Sequence, residues 1–311
     1  MKNVFKKIKK KVKVYLNLDS KIKAIEKIVV YESDIQKMLL GKILIGQMLN
    51  KGHLSNIKES EFKVFSQWED DGIIQYLVNN IDISSKTFVE FGVENYTEAN
   101  TRFLLINNNW SGLIMDCSEE AMEHVRKSGL YPRYDLTAKQ AFVDVENING
   151  LIEERFKGEI GLLHIDIDGN DYWVWKAINV VSPIIVIMEY NSAFGIKRPI
   201  TVPYDKDFNR TKKHHSNLYY GSSLLSLCDL AEEKGYVFVG TNSCGGNSYF
   251  VRKDKIGKLK PLTPKEGYTA TKTREHRDKN GNLTFTSPEE GVKTLQGMPV
   301  FNTRENKTEK L

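Results

Sequence analysis

The chain has 311 residues, of which 40% are hydrophobic and 27% charged, so it can bury a real core and has the composition of an ordinary soluble globular protein. No apolar run reaches the roughly 18 residues that span a bilayer, and we expect no signal peptide at the basic, discontinuously apolar start. Cys117, Cys228 and Cys244 are odd in number and lack CxxC spacing, which predicts reduced thiols and a cytoplasmic location.

The net charge of +5 is concentrated, because residues 2–13 hold seven lysines and no acidic residue. Such a segment can contact the inner face of an anionic membrane peripherally, or it can be the solvated face of a helix. Aromatic-interleaved basic motifs and zinc-finger spacing are both missing, so we expect no nucleic-acid partner.

Residues 1–60 are predicted to be a helical N-terminal extension. Apolar residues recur there at spacings of three and four, as at Ile22, Ile25 and Val29 and again at Ile35, Leu39 and Ile43. We expect this apolar face to pack on the body of the protein or on a second copy of the chain. Packing on a second copy would give a homo-oligomer.

From residue 61 to 254 the pattern predicts one α/β domain. Five apolar runs alternate with helical stretches and predict a parallel sheet with both faces covered: 87–93, 112–117, 141–145, 160–168 and 183–190. After a predicted helix near 223–234, the runs 236–241 and 247–253 flank a Ser-Cys-Gly-Gly turn and predict a hairpin. Five parallel strands closed by an antiparallel hairpin form a Rossmann-like sheet of the class I methyltransferase type. Residues 255–311 are predicted to be an irregular extension with a frayed end.

The end of the first predicted strand, FVEFGVENY, is the first candidate for a ligand site. Ligands of open α/β sheets bind beyond the carboxyl ends of the strands, and Gly92 permits close backbone approach while Glu90 can accept hydrogen bonds. The run is not GxGxxG, because Glu94, Asn95 and Tyr96 stand where a pyrophosphate needs bare, uncharged backbone. This favours a cationic, phosphate-free cofactor such as S-adenosylmethionine over NAD; an ordinary strand-to-helix turn is the alternative.

The second predicted strand ends in Asp116, where an acid can bind the two hydroxyls of a ribose. The alternative is a helix cap, since Ser118-Glu119-Glu120 begins a helix. Arg102 lies early in the intervening helix, where it can reach a carboxylate or remain a surface arginine.

Several segments in order resemble FkbM-like S-adenosylmethionine-dependent methyltransferases. They are SQWEDDGII (66–74), FVEFGVENYTEANTRFLL (88–105), NWSGLIMD (109–116), ENINGLI (146–152), LLHIDIDGNDYWVWKAI (162–178), PIIVIMEYN (183–191) and 219–254. The resemblance covers about residues 62–254 and is strongest to the subgroup with an IDIDGNDYW motif associated with surface-polysaccharide biosynthesis. The chain departs from the family at Glu94-Asn95, where the family has a glycine-rich turn, and at Ser66-Gln67-Trp68-Glu69-Asp70, where the family has SQ-x-GED. The cofactor-binding residues we expect are Gln67, Glu90, Gly92, Asn95, Arg102, Asp116 and Asp166.

The resemblance also implies a divalent-metal site, as in related sugar O-methyltransferases. The matching ligands are Asp166, Asp168, Glu189 and Asn191, with Asp171 a further candidate, and their oxygens suit magnesium or manganese. Strand periodicity places Asp166 and Asp168 on one face. The alternative is that these acids cap the Gly169-Asn170 turn.

Catalysis on a hydroxyl needs a group that removes its proton, and the candidates are Asp168, His164 and His215. The insertion 204–220 is predicted to cover the acceptor. It carries Lys206, Arg210, Lys212 and Lys213, which can bind phosphates, and also His214. Trp68, Trp173 and Trp175 can stack on a sugar or on adenine, or pack in the core.

We therefore expect an enzyme that transfers a methyl group from S-adenosylmethionine to a sugar hydroxyl. The sugar would belong to a nucleotide- or lipid-linked precursor of a bacterial surface polysaccharide. Three alternatives stay open: methylation of nitrogen or a phosphoryl-type oxygen, a metal-dependent glycosyltransferase, and a non-catalytic assembly partner.

Overall fold

The computed structural model describes the backbone of residues 2–311, with side chains from residue 18 onward except at 288 and 289. Ten strands form two sheets in this part of the chain. They are β1 (Thr87–Phe91), β2 (Ser111–Asp116), β3 (Leu136–Gln140), β4 (Gly158–Ile165), β5 (Val181–Glu189), β6 (Ile200–Thr201), β7 (Tyr236–Thr241), β8 (Asn247–Arg252), β9 (Pro299–Asn302) and β10 (Lys307–Lys310).

The main sheet has seven strands in the order β3-β2-β1-β4-β5-β8-β7. The first five are parallel, β8 runs antiparallel to β5, and β7 runs antiparallel to β8. The predicted α/β class is confirmed, with five parallel strands closed by an antiparallel hairpin and a helical N-terminal extension. Strand order reverses between β1 and β4, so the connections leave these strands in opposite directions and open a crevice at their carboxyl ends.

Helices cover both faces of this sheet and enclose two separate apolar cores. They are α1 (Lys2–Lys51), α2 (Asp70–Asn80), α3 (Arg102–Asn108), α4 (Glu119–Lys127), α5 (Ile148–Glu153), α6 (Asp171–Ala177), α7 (Arg210–Lys213), α8 (Leu224–Glu233), α9 (Pro264–Gly267) and α10 (Pro288–Lys293). The predicted helix near 223–234 is confirmed as α8, whose cap is the Ser223 hydroxyl. Among the described residues, no helix combines the length and apolarity needed to cross a bilayer. All three cysteines are free.

The third strand does not lie where the sequence predicts it. Residues 141–145 are irregular, and the strand is instead the preceding LTAKQ segment. The prediction was wrong because β3 is an edge strand with alternating burial, so it lacks a continuous apolar run. Ala141, Phe142 and Val143 instead follow the strand and line the crevice.

The acid-rich segment also differs from the prediction, because β4 ends at Ile165. Asp166 and Asp168 therefore lie on a loop, and Asp168 has a positive φ of 57°. Strand periodicity was the wrong reason for grouping them. The loop itself is shaped by Asp171, which accepts hydrogen bonds from the amides of Ile167 (2.7 Å) and Gly169 (2.8 Å).

The C-terminal segment is more ordered than predicted. β9 pairs with β10 and with β6, so residues just before the insertion and residues of the chain end share a three-stranded sheet. The predicted frayed end was wrong, since the amide of Leu311 donates to the carbonyl of Met298 at 2.9 Å. The division at 60/61 and 254/255 stays a prediction.

The first helix extends well beyond the body. Its side chains from Leu18 to Glu32 are all exposed, whereas Gly41 and Met48 are buried against the body. The lysine side chains of residues 2–13 lie outside the described side chains, so the predicted membrane contact stays a prediction.

Candidate functional site

A cavity of about 540 Å³ occupies the crevice at the carboxyl ends of the parallel strands. Its walls are strongly acidic. Eight carboxylates line it: Glu90, Glu94, Glu98, Asp116, Asp166, Asp168, Glu189 and Glu275. The basic side chains in the wall are those of Arg210 and His164. A cavity of this size admits a small organic ligand, and its charge favours one that carries a positive charge.

Gly92 forms the turn after β1 at the floor of this cavity. Its φ is +72°, which favours glycine, and a Cβ placed there would overlap the carbonyl oxygen of Asp166. Its amide donates to the Met115 carbonyl at 3.0 Å. The positive φ and the nearby Asp166 carbonyl each require glycine at this position. The backbones of β1, β2 and the loop that carries Asp166 and Asp168, here called the acid loop, meet at this point.

Asp116 stands at the end of β2 on the cavity wall. Its two carboxylate oxygens accept hydrogen bonds at 2.8 Å, one from the amide of Glu94 and the other from the amide of Ser118. These bonds hold the carboxylate in a fixed orientation while it remains partly exposed. The helix cap is Ser118, whose hydroxyl accepts from the Ala121 amide, so the capping alternative for Asp116 is not needed.

Glu90 and His164 form a buried pair on adjacent strands. Glu90 accepts hydrogen bonds from His164 Nδ1 at 2.8 Å, from the amides of Asn100 and Thr101, and from the Thr101 hydroxyl. Burial lowers the pKa of His164, but the hydrogen bond and charge of Glu90 outweigh it, so the pKa is raised overall. Burial likewise raises the pKa of Glu90, and His164 reverses this to a net lowering. Each member of the pair therefore favours the charged form of the other.

The acid cluster, defined as Asp166, Asp168 and Glu189, is the most unusual part of the wall. One carboxylate oxygen from each lies within 4.8 Å of the others, and Glu189 Oε2 is buried without a hydrogen-bond partner. Burial and the charge of Asp168 raise the pKa of Asp166 to about 7. Burial and the charges of Asp166 and Asp168 raise the pKa of Glu189. Such crowding is relieved by a cation or a proton.

Arg210 supplies the cation that faces this cluster. Its guanidinium contacts Asp168 Oδ1 at 2.6 Å, stacks 3.8 Å from the Tyr220 ring centroid, and donates to the Asn217 carbonyl at 2.6 Å. Arg210 begins the short α7 of the insertion, and with Phe208 and Tyr220 it brings the insertion to the cavity wall; that the insertion covers the acceptor stays a prediction.

The segment before α2 reaches the cavity because Asp71 holds it. One oxygen of this buried carboxylate accepts from the amides of Val64, Phe65 and Ser66 at 2.6–2.7 Å. Gln67 and Trp68 follow directly and line the cavity. Asp71 of the SQWEDD motif is therefore structural, and the residues of the motif that face this cavity are Gln67 and Trp68.

Four predicted site residues lie away from the cavity. Asn95 is exposed and bonds Thr97 through its amide oxygen, and Arg102 pairs with Asp34 of α1 at 3.2 Å. Asn191 is buried outside the cavity wall; its amide nitrogen donates to the carbonyls of Leu218 and Tyr220, and its amide oxygen accepts from the amide of Ala193. His215 stacks on His214 outside the wall.

The insertion and the tryptophans are also only partly brought to the cavity. Lys206 pairs with Glu146 and Asp144, and Lys213 with Asp205, which leaves Arg210 as the insertion's contribution of positive charge; Lys212 is exposed outside the wall. Trp175 is buried in the core. Trp173 packs on Phe301, and its indole donates to the Val202 carbonyl at 2.9 Å.

Sequence reasoning missed the contribution of the C-terminal segment. Thr271, Thr273 and Glu275 line the cavity although they lie about 100 residues from the acid loop. Tyr190 anchors this segment through the bond from its hydroxyl to the Thr269 carbonyl at 2.5 Å. No spacing rule connects residues that lie so far apart in the sequence. The only local signal is Tyr190, the aromatic residue directly after β5 that anchors this segment.

A second cavity of about 530 Å³ adjoins the first and shares Trp68, Cys244 and Thr273 with it. It adds two cations, Lys58 and Lys272, together with Glu61 and Glu69. The Lys58 ammonium donates to the Thr269 hydroxyl at 2.6 Å, and burial lowers its pKa. The second cavity therefore places two lysine side chains next to the acidic cavity.

Solved structures with a similar fold include several methyltransferases. One is an O-methyltransferase family protein from Burkholderia thailandensis (11% identity, 61% of this chain and 52% of that chain, TM-score 0.35). A second is the N-terminal domain of EvdMO1 determined in the presence of SAH and D-fucose (12% identity, 69% of this chain and 93% of that chain, TM-score 0.39). A third is an S-adenosylmethionine-dependent methyltransferase from Clostridium acetobutylicum (10% identity, 59% of this chain and 90% of that chain, TM-score 0.38). The chain spans about half the length of the Burkholderia protein.

No protein-family model matches the sequence, and a search of curated proteins found no match.

Proposed function

We propose that the chain is an S-adenosylmethionine-dependent methyltransferase. The observation that carries this proposal is the cavity at the reversal of strand order, where the Gly92 turn and the fixed Asp116 carboxylate meet an acidic wall. Asp116 is suited to bind the ribose hydroxyls, and the acids favour a sulfonium cation over the phosphates of a dinucleotide. Phe142 and Val143 supply apolar surface beside Asp116 for an adenine ring.

The acceptor we propose is a sugar hydroxyl on a nucleotide- or lipid-linked precursor of a surface polysaccharide. Trp68 offers a ring for stacking on a sugar, and Thr271 and Thr273 offer hydroxyl groups that can hydrogen-bond to it. Lys58 and Lys272 of the second cavity are suited to the phosphates of such a precursor. The proposed location is the cytoplasm or the inner face of the membrane, where such precursors are made.

The acid cluster is suited to removing the proton of the acceptor. Asp166, whose pKa of about 7 matches neutral pH, is the cluster member best able to take it. The cluster also fits a hard divalent cation, since three oxygens converge and Glu189 Oε2 has no partner. A magnesium or manganese ion bound there would lower the pKa of the acceptor hydroxyl. The cavity walls would hold the hydroxyl in line with the methyl group.

Titration calorimetry with S-adenosylhomocysteine tests the cofactor. The wild-type chain is expected to bind it with or without EDTA. Asp116→Ala is expected to weaken binding about 10- to 150-fold, because hydrogen bonds to a charged group contribute about 1.5–3 kcal/mol. Glu119→Gln is the matched control, since Glu119 is an exposed acid three residues along that pairs with Arg126. Thermal unfolding checks that both variants are folded.

Absence of S-adenosylhomocysteine binding to the wild-type chain in EDTA, magnesium or manganese would reject the methyltransferase proposal. Binding of a nucleotide sugar with manganese, but not of S-adenosylhomocysteine, would favour a glycosyltransferase. Binding of neither would favour an assembly partner. Transfer of methyl to an amine or phosphoryl oxygen, but not to a sugar, would leave the cofactor assignment and replace the acceptor.

Arg210 competes with metal for Asp168, and this gives a second prediction. Arg210→Met is expected to tighten manganese binding about tenfold at pH 8, where Asp166 is ionised, because no guanidinium must be displaced from Asp168. Lys212→Met, on the same short helix but exposed, is the control. Manganese affinity that is unchanged or weaker in Arg210→Met would contradict the competition.

A further inference from the structure

The long helix α1 has two different faces. The first, here called the docking face, consists of Asp34, Met38, Gly41, Ile45 and Met48, at spacings of 4-3-4-3. Met38 and Ile45 pack on Val64 and Phe103, Asp34 pairs with Arg102, and a Cβ at Gly41 would lie 2.9 Å from the Val64 side chain. This face attaches the helix to the body.

The second face lies opposite and contacts nothing in the described structure. Its members, here called the outer stripe, are Leu18, Ile22, Ile25, Val29, Glu32, Gln36, Leu39 and Ile43. Glu32, Gln36, Leu39 and Ile43 each precede a docking-face residue by two positions. Two positions turn an α-helix by about 200°, so the faces point in opposite directions. The apolar members are 46–60% exposed.

This exposure is concentrated on α1. Of the sixteen large apolar side chains that are exposed among the described residues, thirteen lie on this helix, and the other three are Phe142, Leu283 and Phe285. The outer stripe amounts to roughly 600 Å² of apolar surface, at or above the largest patch of a typical monomer. Residues 18–32 also make no buried contact, although a helix takes most of its stability from packing an apolar face.

We propose that the outer stripe binds the outer stripe of a second copy of the chain as a coiled coil. Its spacing of 4-3-4-3-4-3-4 is a heptad seam, which keeps one face toward a partner helix along about 39 Å. Two stripes bury roughly 1,200 Å² together, the lower end of the range for specific interfaces. The body does not obstruct this pairing, because it is attached to the opposite face.

Two polar residues in the stripe select a protein partner over lipid. Glu32 and Gln36 occupy successive seam positions at its centre, and Asp19 and Glu26 flank it. Polar residues in a coiled-coil seam are tolerated and fix register, whereas a carboxylate in the middle of a lipid-facing stripe is costly. The lysine-rich start can attract an anionic surface, and the test therefore includes vesicles.

Val29 and Val30 provide a matched pair of substitutions. Both are exposed, at 60% and 59%, but Val29 belongs to the outer stripe and Val30 is turned 100° away from it. Sedimentation velocity of the full chain is expected to give at least twice the monomer mass of 35.7 kDa for the wild type and Val30→Glu. Val29→Glu is expected to weaken association at least about tenfold, since a carboxylate would enter the apolar seam.

Three results would overturn the proposal. One is a monomeric wild-type chain at every concentration, including one that instead sediments with vesicles of anionic phospholipid. The second is an assembly that both substitutions leave intact. The third is an assembly that both disrupt equally. Far-UV circular dichroism and thermal unfolding of the bodies confirm that each variant is folded, and none of these outcomes depends on the proposed methyltransferase activity.

Discussion

Gly92→Ala is expected to destabilise the fold by about 2–5 kcal/mol and to abolish measurable S-adenosylhomocysteine binding. A left-handed backbone conformation costs about 1–2 kcal/mol for a residue with a side chain, and Gly92 has a φ of +72°. The new Cβ would also overlap the Asp166 carbonyl, which forces the β1 turn and the acid loop apart at a further cost of about 1–3 kcal/mol. Urea unfolding gives the free energy, and calorimetry gives the binding.

Gly158→Ala separates these two costs. Gly158 has nearly the same φ, +73°, but a Cβ there has open space within 4 Å, and the residue lies at the opposite end of β4. Gly158→Ala is expected to lower the free energy of unfolding only by the conformational cost, about 1–2 kcal/mol, and to bind S-adenosylhomocysteine as the wild type does. Equal destabilisation by both substitutions would show that the contact between Gly92 and the acid loop is not tight.

The sequence predicted those parts of the fold that follow from local pattern. The apolar runs at β1, β2, β4 and β5 are buried on both faces, and the hairpin of β7 and β8 surrounds a turn with glycine, so periodicity and turn residues were sufficient. β3 was misplaced because an edge strand is exposed on one side and carries Lys139 and Gln140. β9 and β10 were missed because four-residue strands with few apolar residues leave little local signal, although the two strands pair with each other as a hairpin.

For the site, the sequence located residues at strand ends but not their partners. Gly92, Asp116 and the acid cluster converge because parallel strands end at one edge of the sheet, a rule of topology. Asn191 and Arg102 also stand near strand or helix ends, yet their side chains are engaged by backbone carbonyls and by α1. Such contacts depend on tertiary packing between residues that lie far apart in the sequence. The same packing brings Glu275 and Lys272 to the walls of the two cavities.

The pair of Glu90 and His164 is expected to stabilise the fold in a pH-dependent way. Glu90→Ala is expected to cost about 3–5 kcal/mol near pH 6, because it leaves the charge of His164 and the amides of Asn100 and Thr101 without an acceptor. Glu98→Gln is the control. Glu98 lies on the same connection but is exposed and pairs with Lys63 at 2.9 Å, so its change is expected to stay within about 1 kcal/mol.

The sign of the pH dependence follows from the two pKa shifts. The pKa of His164 is raised above 6.5, so its contribution is present below pH 6.5 and is lost as pH rises through the raised value. The pKa of Glu90 is lowered below 4.5, so its contribution is present above pH 4.5 and is lost as pH falls through the lowered value.

Glu90→Gln removes the charge at nearly constant shape. The wild-type free energy of unfolding minus that of Glu90→Gln is therefore expected to be largest between pH 4.5 and 6.5 and to shrink toward pH 9. Because the charge of Asp166 also raises the pKa of His164, both proteins are compared in an Asp166→Asn background. A difference that is flat from pH 6 to 9 in that background would mean that His164 is neutral in the fold.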